Sequence, residues 1–244
     1  MRSLLAVPRT ALTLLVGLVS TLVCSLTALA IATVRPTSPS VDAVIRFWAR
    51  TWLWAAGCRL EVRGREHVDR NRSHVVVANH LSNFDIMVCF EAIPLPIRYL
   101  AKKELFRIPV LAPAMRAVGI VEVDRQTRGA ATIDAVNRQS AAVIEHGHSL
   151  IIYPEGTRAR DGSLAAFKKG AFTMAAAAGM PVLPVTIHGT YAMWRPGGKT
   201  IRSGRVTVVI DPPIETAGLD RDGIEMLRKR THGIVERRLA ELQS

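Results

Sequence analysis

The sequence has few of the residues on which several common classes of protein depend. Its 244 residues include three cysteines, which lie far apart with no paired spacing, so neither a disulfide framework nor a zinc site is expected. Aromatic residues make up only 5% of the chain, which argues against a nucleic-acid surface built on base stacking. Acidic residues are also outnumbered: 32 Lys and Arg against 20 Asp and Glu give a net charge of +12. The partners predicted are therefore anionic, such as lipid headgroups or phosphorylated and nucleotide-bearing small molecules.

Several familiar catalytic motifs are absent as well. There is no Gly-x-Ser-x-Gly elbow for a serine acyl-enzyme, no Gly-x-Gly-x-x-Gly fingerprint and no His-Glu-x-x-His zinc motif. Gly198-Lys199-Thr200 matches the end of a phosphate-binding P-loop, but Met193 stands where that motif requires its first glycine. Any chemistry must therefore come from residues outside these motifs.

The N-terminal region contains a long uncharged stretch. Residues 11–34 carry no charged side chain, and a helix of that length reaches roughly 36 Å, enough to cross a hydrocarbon core of about 30 Å. The stretch exceeds the core of a signal peptide and lacks an obvious small-x-small cleavage site. It therefore predicts a retained membrane anchor, with Pro36 and Pro39 ending its helix.

A second helical pattern follows from Val41. Its apolar residues share one stripe at helical spacing, namely Val41, Val44, Ile45, Trp48, Trp52, Ala55 and Ala56. Three tryptophans, Trp48, Trp52 and Trp54, beside Arg46 and Arg50 suit a membrane-water interface, although an ordinary helix packed on the soluble domain is the alternative. A single span and a two-helix hairpin in one leaflet both remain open. We predict a cell-membrane protein with residues 1–58 as anchor and residues 59–244 as a catalytic domain, placed on the cytoplasmic side by the flanking arginines.

The rest of the chain alternates between short apolar runs and helical patterns. The strands expected are 60–62, 74–78, 97–101, 120–123, 150–152, 181–187 and 205–210, and the helices expected are 83–91, 110–117, 128–146, 170–178 and 222–242. This order predicts an α/β fold with a mixed, mostly parallel sheet covered by helices on both faces. Ligands of such sheets bind outside the carboxyl ends of the strands. His80, Arg125, Glu155 and Arg158 each come just after a predicted strand.

His80 and Asp85 are the most informative pair. They follow the strand 74–78 directly, with four residues between them. Histidine is suited to accept a proton near neutral pH, and a carboxylate on its other ring nitrogen sets the tautomer and stabilises the cation. By itself the spacing is a weak signal, because Asp85 could simply cap the helix that begins near Asn83.

A second cluster, Tyr153-Pro154-Glu155-Gly156-Thr157-Arg158, follows the strand 150–152. Gly156 permits close approach of a ligand to the backbone, Thr157 offers a hydroxyl, and the Arg158 fork suits two phosphate oxygens. Each feature also has an ordinary interpretation as a turn with solvated charges. The same holds for the basic residues near this edge, which are Lys102, Lys103, Arg125 and Lys168.

Taken in order, these segments resemble the four sequence blocks of the glycerophospholipid acyltransferase family, and within it the bacterial 1-acyl-sn-glycerol-3-phosphate acyltransferases. The blocks are Asn79-His80-x4-Asp85, residues 119–125, Pro154-Glu155-Gly156-Thr157-Arg158 and Leu183-Pro184-Val185. Two positions depart from the family pattern: Leu81 stands where Gln is common, and Tyr153 stands where Phe is usual. The resemblance covers residues 60–211.

The resemblance implies the roles of the site residues. His80 would be the general base oriented by Asp85. Arg125 and Arg158 would bind the acceptor's phosphate in a pocket shaped by Glu155, Gly156 and Thr157. Accessory roles are expected for Asn79, Lys102, Lys103, Lys168 and Pro184.

The resemblance also implies the reaction, which is acyl transfer from acyl-CoA or acyl-carrier protein to lysophosphatidic acid, giving phosphatidic acid in phospholipid biosynthesis. Membrane lipid is then a partner, nucleic acid is not, and no metal or redox cofactor is needed. The alternatives are another lyso-lipid or glycerol 3-phosphate as acceptor, hydrolysis by water, or a non-catalytic basic scaffold on the membrane.

Overall fold

The structure, a computed structural model, describes residues 6–35, 38–124 and 130–243. It begins with two long helices, α1 (Ala6–Val34) and α2 (Pro39–Ala55). Proline at the first position of α2 and the Ser38 hydroxyl, which accepts from the Ser40 N–H, start the second helix. The two pack antiparallel, and a Cβ on Gly17 would lie 2.4 Å from the Trp52 ring. The absence of a side chain at Gly17 therefore allows Trp52 to fill the space between the helices.

A seven-stranded sheet forms the centre of the molecule. Its strands are β1 (Cys58–Arg63), β2 (Val75–Ala78), β3 (Ile97–Lys102), β4 (Val121–Val123), β5 (Ser149–Ile152), β6 (Val182–His188) and β7 (Gly204–Ile210). The order is β1-β7-β6-β2-β5-β3-β4. Every neighbouring pair is parallel except β6 and β7, which are antiparallel.

Helices cover both faces of this sheet. They are α3 (Phe84–Ala92), α4 (Leu111–Ala117), α5 (Ala130–Glu145), α6 (Gly170–Ala177), α7 (Thr190–Met193) and α8 (Arg221–Gln243). In β2, Val76 and Ala78 pack into a core with α2 and α3, whereas Val75 and Val77 pack into a second core with α6 and α8. Successive side chains of a strand point to opposite faces, so a strand covered on both sides must be apolar throughout, as β2 is.

The predicted fold class is confirmed, and most predicted elements lie within one or two residues of the observed ones. The sequence patterns missed the short helix α7 and two 3₁₀ helices, Arg65–His67 and Lys103–Arg107. Elements of three to five residues are too short to show a hydrophobic period, so these omissions have a simple physical cause.

Both arginines of α2 bind groups at the C-terminal end of α3. Arg46 donates to the carbonyls of Phe90, Ile93 and Leu95, where α3 ends, at 2.8–2.9 Å. Arg50 forms a two-bond ion pair with Glu91. A cation on the final carbonyls of a helix satisfies groups that have no partner within the helix. This face of α2 therefore packs on the soluble domain, as the alternative interpretation of the second helical pattern expected.

The opposite side of the hairpin is apolar and exposed. On α2, Phe47 is 62% and Trp54 73% exposed, and on α1 a row of leucines and valines is exposed by half or more. Among the described residues, α1 is the one helix whose length and composition would allow it to cross a membrane. These features are compatible with membrane association. The boundary at residue 58, the cell-membrane location and the cytoplasmic orientation remain predictions.

Candidate active site

The candidate site lies where the carboxyl ends of β2 and β5 meet. These strands are parallel neighbours, with Val77 opposite Ile152, although more than 70 residues separate them in the chain. After β2 the chain continues to β3, beyond β5, and after β5 it continues to β6, beyond β2. Connections that leave two neighbouring strands in opposite directions open a crevice at the carboxyl edge of the sheet. The loops that carry His80 and Glu155 both leave the sheet into this crevice.

His80 and Asp85 form the predicted contact. His80 Nδ1 lies 2.9 Å from Asp85 Oδ2, and the same oxygen accepts the backbone N–H groups of Leu81 and Ser82, each at 2.7 Å. Asp85 is fully buried in the first turn of α3. A carboxylate that already accepts two N–H groups favours the tautomer in which Nδ1–H donates, which leaves Nε2 with a free lone pair. The arrangement can therefore accept a proton at Nε2.

Tyr153 supports the histidine ring, a contact that the sequence did not predict. The two rings stack with centroids 3.9 Å apart and planes 9° from parallel. The Tyr153 hydroxyl lies 3.4 Å from the Tyr99 hydroxyl, which in turn donates to the Ile86 carbonyl at 2.9 Å. The only sequence signal was the departure from the family pattern at this position. The neighbouring Cys89 is fully buried, and burial raises the pKa of its thiol to about 12, which disfavours the reactive thiolate.

Glu155 binds backbone groups on two loops. Its Oε1 accepts the His80 N–H at 2.6 Å, and its Oε2 accepts the Ala165 N–H at 3.0 Å. The side chain is 4% exposed, and burial raises the pKa of its carboxyl to about 7. Glu155 does not line the cavity next to His80. Its geometry thus suits holding the His80 loop in place, rather than shaping a phosphate pocket as the resemblance implied.

A cavity of about 530 Å³ opens beside His80. Its polar end includes His80, Asn83, Lys102, Thr157 and Arg158, and Arg158 donates to the Asn83 side-chain oxygen. The remainder is lined mainly by apolar residues of α1, α2, α3, β3 and α4, for example Cys24, Ala28, Ile45, Met87 and Met115. A cavity with one polar end and a long apolar body fits a molecule with a charged head and a hydrocarbon chain.

The other predicted site residues lie around this centre. Asn79 joins β2 to β6 through both its amide atoms, which bind the Ile187 carbonyl and N–H at 2.9 and 2.8 Å. Pro184 lies within β6 opposite Val77 and does not line the cavity. Both therefore support the sheet beneath His80.

The predicted basic residues differ in their surroundings. Lys103 forms an ion pair with Asp124 at 3.1 Å. Lys168 passes over the turn at Gly156, where φ is +78° and an added Cβ would lie 2.6 Å from the lysine Nζ. The positive φ therefore favours glycine at 156, whereas the flexible end of the Lys168 side chain could move aside for a Cβ. Arg125 lies outside the described residues.

No group of three or more His, Cys, Asp or Glu side chains that could hold a metal ion is present within the described ranges. The fold and the site together define an α/β enzyme in which a histidine-carboxylate pair lies at the carboxyl edge of the sheet.

Comparisons with known proteins identify the family. A model of the acyltransferase family matches residues 59–188, more than half of the chain. The chain is 31% identical over 191 residues to a 1-acyl-sn-glycerol-3-phosphate acyltransferase of Limnanthes douglasii, a match that spans 78% of this chain and 67% of the relative. It is 34% identical over 139 residues to an enzyme of that name from Borreliella burgdorferi, spanning 57% and 54%.

A solved structure has the same fold. The crystal structure of the 1-acyl-sn-glycerophosphate (LPA) acyltransferase PlsC from Thermotoga maritima superposes with a TM-score of 0.85 at 28% identity, covering 100% of this chain and 98% of that one. The chain belongs to the acyltransferase family, which confirms the resemblance read from its sequence blocks.

Proposed function

We propose that the protein transfers an acyl group from a thioester donor to the free hydroxyl of lysophosphatidic acid, giving phosphatidic acid. The observation that carries this proposal is the His80-Asp85 pair at the junction of a polar pocket and an apolar cavity. The names of the relatives and of the structural neighbour agree with it. Acyl-CoA and acyl-carrier protein both satisfy the chemistry as donor.

His80 acts as the general base in this mechanism. Its Nε2 accepts the proton of the acceptor hydroxyl while the oxygen attacks the thioester carbonyl. As the tetrahedral intermediate breaks down, the carbon-sulfur bond is cleaved and the imidazolium returns the proton to the thiolate. Asp85 stabilises the imidazolium through the hydrogen bond to Nδ1.

The phosphate of the acceptor binds at the polar end of the cavity. Arg158 and Lys102 supply positive charge beside His80, and the exposed Thr157 supplies a hydroxyl. We assign Arg125 to the same phosphate on the basis of its sequence block. The acyl chain occupies the apolar cavity that the N-terminal helices help to build, so residues 6–55 contribute to substrate binding as well as to membrane association.

A single assay separates this function from its alternatives. The purified full-length protein is incubated with a radiolabelled acyl-CoA and with lysophosphatidic acid, another lyso-lipid or glycerol 3-phosphate in turn. We expect labelled phosphatidic acid as the main product, and a fall of at least about 100-fold in its rate of formation for His80→Ala. His67→Ala is a matched control, because His67 lies in a 3₁₀ helix and binds the Ile210 carbonyl, away from the cavity.

Each alternative has its own outcome in this assay. Labelled free fatty acid without consumption of the acceptor would indicate a hydrolase. Faster acylation of another acceptor would change the substrate assigned here. Equal rates for the wild type and His80→Ala would contradict the assignment of the base, and the absence of any product would favour a scaffold.

A further inference from the structure

A concave surface lined by four arginines lies at the open end of the N-terminal hairpin, where α1 begins and α2 ends. We define the arginine concavity by Arg9, Arg59, Arg202, Arg205 and the indole of Trp54, which line a space of about 1080 Å³ with small residues between them. It does not share a lining residue with the cavity beside His80. The acyl transfer mechanism therefore leaves these arginines without a role.

The charges of the arginine concavity are uncompensated by the protein. No Asp or Glu is among its lining residues, and none of its four guanidinium groups takes part in an ion pair within the described part of the chain. Arg59 and Arg205 are direct partners across the parallel strands β1 and β7, so both project to the same face. Like charges placed directly opposite each other on neighbouring strands are unfavourable unless an anion lies between them.

The neighbouring surface indicates which kind of anion would bind in the arginine concavity. The exposed apolar row of α1 runs from Leu26 through Leu12 to Val7, and Ala6 at the start of that helix lines the arginine concavity. From residue 10 to residue 34 the helix carries no charge, so hydrocarbon that covers this row must end where Arg9 begins. Trp54, 73% exposed, lines the arginine concavity together with Arg9 and therefore lies beside the end of this row. Tryptophan beside arginine is typical of the depth of phospholipid headgroups.

We propose that the arginine concavity binds the headgroup phosphates of anionic membrane phospholipids. Guanidinium groups match phosphate oxygens in pairs, and four of them on a concave surface can hold more than one headgroup. The site would select anionic over zwitterionic membranes and set the depth of the hairpin in the lipid. It is separate from the acyl acceptor site and does not depend on the reaction assigned above.

The test is vesicle flotation of the full-length protein. One set of vesicles contains phosphatidylcholine, and the other an equal mixture of phosphatidylcholine and phosphatidylglycerol. The variant R59Q/R202Q/R205Q is compared with R221Q/R230Q/R237Q, which removes three exposed arginines from α8 and lowers the net charge equally. Each basic residue near an anionic surface strengthens binding about fivefold, so we expect the first variant to lose on the order of 100-fold of its preference for the mixed vesicles, and the control to lose far less.

Equal preference for anionic vesicles in the wild type and R59Q/R202Q/R205Q would overturn the proposal. If that result came together with a raised KM for acyl-CoA in neutral micelles, the arginines would instead be assigned to the phosphates of the donor. Should the triple variant fail to fold, R202Q alone serves, because Arg202 precedes β7 in an exposed loop, and it should lose about fivefold. Flotation needs no catalysis, so its result stands whether or not the acyl transfer assignment holds.

Discussion

The polar end and the apolar body of the cavity are built in different ways. At the polar end, His80 and the groups that hold it come from two loops at the ends of adjacent strands, and short hydrogen bonds fix them. The apolar body is assembled from side chains of four helices and a strand, held by packing. Hydrogen bonds hold the reacting atoms to within tenths of an ångström, whereas packing sets a volume that can vary without loss of the fold. For the proposed reaction, we therefore expect that the chemical step and the choice of acyl chain can be changed independently.

The largest effect is expected from the charge that orients His80. Asp85→Asn can keep an oxygen where Oδ2 accepts its three N–H groups, because the other carboxylate oxygen has no hydrogen-bond partner within the described chain. The loop should therefore keep its shape while the imidazolium loses its counter-charge. We expect kcat to fall by about 10²- to 10⁴-fold, the range that general acid-base catalysis contributes, with both KM values nearly unchanged. Steady-state kinetics with both substrates checks this, and a loss confined to KM would contradict it.

Arg158→Ala sharpens the division within the polar end. If Arg158 binds the phosphate of the acceptor, its loss should lower kcat/KM for lysophosphatidic acid by about 10- to 100-fold. The KM of the acyl donor should change far less. The matched control is Arg160→Ala, two residues on and exposed. Equal losses for acceptor and donor would count against a phosphate role.

Ala28→Phe tests the apolar body. Ala28 is buried on α1 and lines the cavity, so a phenyl group there would take up space needed by a long acyl chain. We expect kcat/KM to fall about tenfold for long-chain donors and little for short-chain donors, since each poorly placed methylene costs about that factor. A panel of acyl-CoA lengths measures this. The exposed Leu15→Phe on the same helix is the control, and a uniform loss across chain lengths would contradict the assignment.

Tyr153 joins the two parts, because its ring stacks on His80 and also lines the cavity. Tyr153→Leu removes the flat support of the imidazole, and we expect kcat to fall about tenfold with little change in KM. Tyr153→Phe keeps the ring and loses only long hydrogen bonds from its hydroxyl to Tyr99 and to the Cys89 sulfur. It should stay within about twofold of the wild type. Equal losses in the two variants would assign the effect to the hydroxyl rather than to stacking.

The smallest effect on the reaction, but a distinct one on stability, is expected from Glu155. Burial raises the pKa of the Glu155 carboxyl to about 7 in the folded protein, from 4.5 for an unburied glutamate. The folded state therefore binds this proton more tightly than the unfolded state does. The contribution of this proton to the free energy of unfolding is complete below about pH 4.5 and is lost as the pH rises through 7.

Glu155→Gln is uncharged at every pH and removes this dependence. Between about pH 5 and pH 8 the free energy of unfolding of the wild type should fall relative to that of the variant by up to about 3 kcal/mol. Urea unfolding in detergent micelles at a series of pH values measures the difference. A constant difference across the range would show that Glu155 does not titrate there.

The sequence predicted those parts of the site that are local in the chain. His80 and Asp85 are five residues apart, and a strand followed by the first turn of a helix brings them together whatever the rest of the fold does. The alternation of strands and helices likewise predicted a covered, mostly parallel sheet. The order of the strands, and the reversal of β1 and β7 at one edge, depend on pairings between distant segments that no local pattern contains.

Only the tertiary structure decided the contacts between segments distant in the chain. Tyr153 reaches His80, and Glu155 reaches the His80 backbone, because β5 pairs with β2. The apolar cavity exists because the hairpin of α1 and α2 packs over α3 and α4, where Arg46 binds the end of α3. Hydrogen bonds within a turn follow from local backbone geometry. Stacking, cavities and the partners of buried charges follow from which surfaces meet, and the folded chain alone determines that.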